Sequence, residues 1–162
     1  MKKLLTITSK GEHYTSDLID YEDGSYGFVG DFDNDWDGSK RWHEDPYGQA
    51  DTTLHHNGKP IDSWAVPGIV LPTEVILAVP HIVLGCKAEV GFNRKSAPAV
   101  VFDVGPHSKL GEGTPCLAVR LGINPGHSSG GVDEQAVHYR FWPGVAAEID
   151  GITYQLQAYR HG

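Results

Sequence analysis

Val100 to Gly122 reads VVFDVGPHSKLGEGTPCLAVRLG, and this stretch decides what kind of fold the chain can make. It opens with a β-branched and aromatic run suited to a buried strand. It then passes through Gly-Pro and Gly-Glu-Gly into a helix start. Thr114 can cap, Pro115 fits the first helical position, Leu117, Ala118 and Leu121 share one face, and Gly122 stops the helix. A strand, a tight return and one short helix in so few residues belong to a small β fold. Two carboxylates nine residues apart, Asp103 and Glu112, interrupt the apolar pattern. A carboxylate ending a buried strand needs donors, exposure or a chemical role, and the glycines around Glu112 allow a ligand or another backbone to come close.

The rest of the chain agrees with a mainly β reading. Twenty Gly and ten Pro are spread among short apolar runs over 162 residues, a pattern of short strands and turns. Lys3 to Thr8 and Ser25 to Val29 read as strands, as do WAVPGIVL, VILAVPHIVL and CKAEVGF between Ser63 and Phe92, with prolines at edges or turns. AVHYRFW, AAEI and ITYQL follow, the last two joined by Asp150-Gly151, a favoured two-residue hairpin turn. Length and a 40% hydrophobic content fit one domain, residues 1–162, with a single core.

A formal net charge of −8 argues against nucleic acid and anionic membrane surfaces, which need clustered Lys and Arg. Cys86 and Cys116 are too few for a disulfide framework and match no zinc spacing; both are expected as small core residues. The N-terminal MKKLLTIT is too short an apolar run for a signal peptide or a membrane span. Classical export is therefore not expected, leaving a cytoplasmic location, non-classical secretion or release by a phage.

Several motifs compete for the chemistry. DNDWDGSKRWHE, Asp33 to Glu44, matches the calcium-loop pattern residue for residue. Lys40 stands where an apolar residue is usual, however, and the entering YGFVGD is strand-like, so an Asp-rich turn is expected in place of an EF-hand. GHSSG around Ser128 fits a nucleophile elbow, but it has loop-like sequence on both sides and reads as a chance match. His55-His56 has no metal-ligand spacing around it, and no metal or other cofactor is assigned.

The carboxylate pair remains. Glycoside hydrolysis commonly uses one carboxylic acid to protonate the leaving oxygen and one carboxylate to activate water. Asp103 and Glu112 can fill both roles if GPHSKLG folds back; two turn carboxylates capping backbone amides are the plainer alternative. Asp103, ending an apolar strand, is the more desolvated on this reading and suits the acid, with Glu112 as the base, though the reverse order stays open.

These residues resemble the chitosanases of glycoside hydrolase family 75. The likeness runs through DFDNDWDG, DPYGQADTTL, GIVLP, FDVGPHSKLGEG with the LAVRLG helix, and GG followed by VHYRFWPG, in order over about residues 25 to 145. It implies an endo-acting, inverting enzyme with Asp103 and Glu112 as the essential acids. It also implies a groove in which Asp31, Asp33, Asp35 and Asp37 meet substrate and Trp36, Trp42 and Tyr47 stack on sugars. A fainter likeness joins FDVGP and LAVRLG to the rare lipoprotein A lytic transglycosylases, and it implies a small six-stranded double-psi-like β-barrel with one short helix. The fungal chitosanases are secreted, and the export expectation departs from them. The expected function is therefore hydrolysis of β-1,4 linkages in an amino-sugar polysaccharide, chitosan first, by a monomer. The alternatives are a peptidoglycan-cleaving muramidase or lytic transglycosylase, and a noncatalytic carbohydrate-binding barrel.

Overall fold

The computed structural model describes residues 1–9, 14–37, 54–127 and 129–158. In chain order the elements are β1 (Lys2–Thr8), β2 (Thr15–Asp20), β3 (Tyr26–Asn34), β4 (His55–His56), β5 (Lys59–Pro60), β6 (Gly68–Pro72) and α1 (Thr73–Ala78). Then come β7 (Cys86–Phe92), β8 (Lys95–Gly105), β9 (Glu112–Gly113), α2 (Pro115–Arg120), β10 (Val132–Ala146), β11 (Glu148–Ile149) and β12 (Ile152–Thr153).

Six strands close a barrel in the order β3-β10-β7-β8-β6-β9, with β9 pairing back onto β3. Two of the joins, β6 with β8 and β3 with β9, are parallel; the other four are antiparallel. The β1–β2 hairpin extends the sheet outward from β3, and β4–β5 and β11–β12 are separate small hairpins. Asp150 and Gly151 both have positive φ (53° and 80°), the geometry a tight hairpin turn demands.

Burial follows strand chemistry. In β7 the side chains alternate buried and exposed down to Val90, as expected of a wall with one face in water. GIVLP in β6 is buried at every position. Pro98 is tolerated within β8 because it faces Glu89 of β7 on one side, while β6 joins the other side only from Val100 onward; no ladder hydrogen bond to β6 is forfeited. Phe32, Ile69, Leu71, Val101, Phe102, Leu110, Leu117 and Phe141 fill the interior.

Helix α2 forms as the sequence dictates. Thr114 caps it by accepting the Leu117 N–H at 3.2 Å, Pro115 opens it, and Gly122 follows it at φ 74°. Leu117, Ala118 and Leu121 are buried. The expectation of a single helix is corrected, because the first part of VILAVPHIVL lies in α1 and is not strand. Pro72 ends β6 and serves as the N-cap, Glu74 sits in the first turn, and only Val75 of the helix is buried. A short aliphatic run does not distinguish strand from helix by pattern; here Pro72 and Pro80 fix the bounds.

Candidate functional site

The two carboxylates are brought into one row. Asp103 of β8 stands level with Val70 of β6, Val70 stands level with Glu112 of β9, and Glu112 stands level with Asp33 of β3. Neighbouring strands lie ~4.8 Å apart, so Asp103 and Glu112, two strands apart, have backbones separated by about 10 Å. Both side chains are half-buried. Val70, between them, is buried. A Cβ on Gly105 would meet Val70 Cγ1 at 3.0 Å and Glu112 Oε2 at 3.4 Å, so a glycine there leaves room for the glutamate head.

The return from Asp103 to Glu112 is pinned along its length. Thr73 Oγ1 donates to the Gly105 carbonyl at 3.1 Å, and the Ser108 N–H and hydroxyl donate to Glu74 at 2.8 and 2.7 Å. Leu110 is fully buried. Lys109 Nζ docks on Asp33 Oδ2. Burial pushes the Glu74 carboxyl up, but the two Ser108 hydrogen bonds outweigh it and hold the group below its usual value.

Glycines flank Glu112 because of backbone packing. Gly111 has φ 78°, and a Cβ there would lie 2.0 Å from Asp31 Oδ1 and 2.6 Å from the Asp31 carbonyl; on Gly113 it would lie 2.7 Å from the Phe32 ring. The Asp33 and Asp35 N–H groups donate to the Gly111 and Gly113 carbonyls at 2.7 and 2.8 Å. The close approach that Gly-Glu-Gly permits is thus that of β3 itself.

The segment leaving β3 completes the site. One oxygen from each of Asp35, Asp37 and Asp103 lies within 4.8 Å of the other two, all three residues being half-buried. Among the described residues this is the group spaced to hold a cation, but nothing beyond acidity points to a ligand there, and it is not read as a metal centre. The Asp37 N–H donates to Asp35 Oδ1 at 2.9 Å. Burial, then the neighbouring Asp37 charge, with smaller pushes from Glu112 and Asp103, raises Asp35 to about 8. Burial likewise raises Glu112 to about 7; Lys109 pulls it down, while Asp33, Asp103 and Asp37 push it up. Glu112, not open to solvent as its glycine neighbours suggested, is held protonated towards neutral pH.

The sequence-derived groove residues separate into three sets. Asp33, Asp35 and Asp37 do lie beside the acid pair. Asp31 does not face the groove: it has no exposed surface, and its Oδ1 accepts from the Tyr14 hydroxyl at 2.7 Å while its carbonyl accepts from the Tyr139 hydroxyl at 2.5 Å. Burial pushes Tyr14 up to about 12, so it stays a neutral donor in that network. Trp36 is also buried, at 6% exposure. Its Nε1 donates to the Pro125 carbonyl at 3.1 Å and its ring meets Trp64 edge-on at 5.3 Å, which leaves no face for a sugar. Trp42 and Tyr47 lie outside the described residues, as do residues 38–44 of the calcium-loop match. The described start of that match runs in from a strand, where an EF-hand requires a helix. Ser128 also lies outside the described residues.

Lys109, Glu74 and Trp64 were not singled out from sequence. Lys109 sits in the quoted stretch, and its signal was a lysine three residues before an acid in the return. Trp64 is half-buried against Trp36. No protein-family model matches the chain, and no curated protein matches it.

Proposed function

We propose that the chain is an inverting endo-glycosidase acting on β-1,4-linked amino sugars, with chitosan as its substrate. The observation that carries the reading is the row Asp103–Val70–Glu112, with two carboxyl groups on either side of a buried apolar residue and one of them raised to about 7. An inverting pair stands about 6.5–9.5 Å apart, so that a water fits between the base and the sugar. Backbones two strands apart are compatible with that range.

Glu112 is the general acid in this scheme. A carboxyl near 7 keeps its proton in mildly acidic solution and can pass it to the leaving glycosidic oxygen. Asp103 is the base that removes a proton from the attacking water. Its Oδ1 accepts the Val104 N–H at 2.8 Å, which helps fix the carboxylate plane. After bond cleavage Glu112 is anionic, Asp103 is protonated, and exchange with solvent restores both.

Among the described residues, Asp35, Asp37 and Asp103 cluster together, Asp33 and Glu112 lie close by, and the Lys109 ammonium docks on Asp33 beside Glu112. This acidic excess supports a cationic substrate such as a glucosaminium polymer. It disfavours anionic peptidoglycan.

The test is release of reducing ends from chitosan, chitin and peptidoglycan by wild type, Asp103→Asn and Glu112→Gln. Chitosan cleavage by wild type, reduced in both folded variants by roughly the hundredfold to ten-thousandfold that a general acid or base supplies, supports the reading. Cleavage of peptidoglycan alone, binding without turnover, or near-normal activity in either variant rejects it.

A further inference from the structure

The return between β8 and β9 brings an ammonium into the acidic groove. Lys109 lies three residues before Glu112, and its side chain is 19% exposed, with Nζ docked on Asp33 Oδ2. Asp33 stands level with Glu112 on the adjacent parallel strand. A partly buried lysine head needs an acceptor, and here the Asp33 carboxylate receives it. The return does not depend on this pair alone for closure, because Ser108 on Glu74 and Thr73 on Gly105 already fasten it.

We propose that Lys109 is a positioning residue of the glycosidase site: docked on Asp33, it offsets the carboxylate beside Glu112 and thereby sets the pH range in which Glu112 holds its proton. This rests on the reading of Glu112 as general acid. Among the described residues, the titratable groups facing Glu112 are Asp33 from β3, Asp35 and Asp37 from the segment after β3, Asp103 from β8, the neutral Tyr139 phenol from β10 and Lys109 from the return; β6 presents the apolar Val70. Removing Lys109 takes away a pull that favours the anion and bares Asp33, so Glu112 must hold its proton to higher pH. Removing the Asp33 charge takes away a push on Glu112, so the proton must leave at lower pH. Either change breaks the same ion pair. A clamp with only a structural role would move both variants alike; an electrostatic one moves them in opposite directions.

The experiment compares Lys109→Met, Lys109→Arg and Asp33→Asn in two ways. One is the pH–rate profile on chitosan. The other, independent of activity, is a carbon NMR titration of protein labelled at glutamate carboxyls, with the Glu112 signal identified by its loss in Glu112→Gln. The high-pH limb and the Glu112 titration are expected to rise by about one pH unit in Lys109→Met, to fall by a similar amount in Asp33→Asn, and to stay near wild type in Lys109→Arg. Movement in the same direction, or none, in variants with wild-type circular dichroism overturns the proposal. If Lys109→Met does not fold, Asp33→Asn decides alone: a downward move supports it and an unmoved titration overturns it. Opposite NMR shifts in a protein that cleaves no chitosan would uphold the charge coupling and reject the glycosidase reading.

Discussion

Glu112→Gln should make the protein more stable, by a margin that is absent below about pH 4.5 and grows as pH rises towards 7. Raising the carboxyl from its ordinary 4.5 to about 7 means that the folded state holds this proton more tightly than the unfolded chain. Between these values the folded form binds more protons, so stability falls as pH rises. At about 1.4 kcal/mol per pH unit, the cost of the buried anion is absent below about 4.5 and reaches roughly 3 kcal/mol above about 7. Glutamine keeps the size and cannot ionise. Urea unfolding of both proteins at about pH 4.5, 6, 7 and 8 measures this: the variant's advantage should grow from near zero to about 3 kcal/mol, equivalent to a Tm gain of about 6–12 °C for a chain of this size. Asp35, also raised by burial, steepens the decline of both proteins but leaves the sign of their difference unchanged. A difference independent of pH, or a variant less stable than wild type at the alkaline end, would refute the claim that Glu112 is held protonated by burial.

Gly111→Ala should cost about 3 kcal/mol or more, because the left-handed φ alone costs roughly 1–2 kcal/mol for alanine and the new methyl displaces the buried Asp31 carboxyl; denaturant titration measures it, and a loss below about 1 kcal/mol, less than the backbone strain by itself, contradicts the packing described. Thr114→Ala removes one hydroxyl that accepts the Gly68 and Leu117 N–H groups and donates to the Val66 carbonyl, so a loss of about 2–4 kcal/mol is expected, with Thr114→Ser recovering most of it. Cleavage should fall as chitosan acetylation rises. Binding of Glu112→Gln to chitosan oligomers should weaken between low and physiological salt, where the screening length shortens to about 8 Å; equal rates on chitin and chitosan with salt-insensitive binding would remove the electrostatic argument.

What could be read from sequence was what local chemistry decides. Thr114-Pro115 and Gly122 bracket α2 because capping, fixed φ and the left-handed stop are properties of those residues. Asp150-Gly151 makes its hairpin for the same kind of reason. The alternation in CKAEVGF marks a one-sided wall. Helix α1 was not legible, since its aliphatic run fits either period, and with it went the anchor that Glu74 offers to Ser108. The pairing of Asp103 with Glu112 was legible as composition, but the row through Val70 depends on the parallel join of β6 to β8, a long-range contact with no local mark. The glycines beside Glu112 were misleading in one respect. They announced close approach, yet what approaches is the β3 backbone, and Glu112 is half-buried instead of open to solvent. Asp31 and Trp36 show a related limit. Asp31 shares its strand parity with Asp33 but is enclosed by Gly111, Tyr14 and Tyr139, and an aspartate that has met Tyr14 looks in sequence like any other member of an acidic run.

The central claim is a two-carboxylate inversion, and the configuration of the first product tests it most directly. Proton NMR of chitosan oligomers taken within the first minutes of reaction resolves the anomeric signals of the new reducing end before mutarotation mixes them. The account requires the α-anomer to appear first from the β-linked substrate, with Asp103→Asn and Glu112→Gln giving no such signal. An initial β-anomer would mean retention through a covalent intermediate or assistance by the substrate, and would contradict the roles assigned to Asp103 and Glu112.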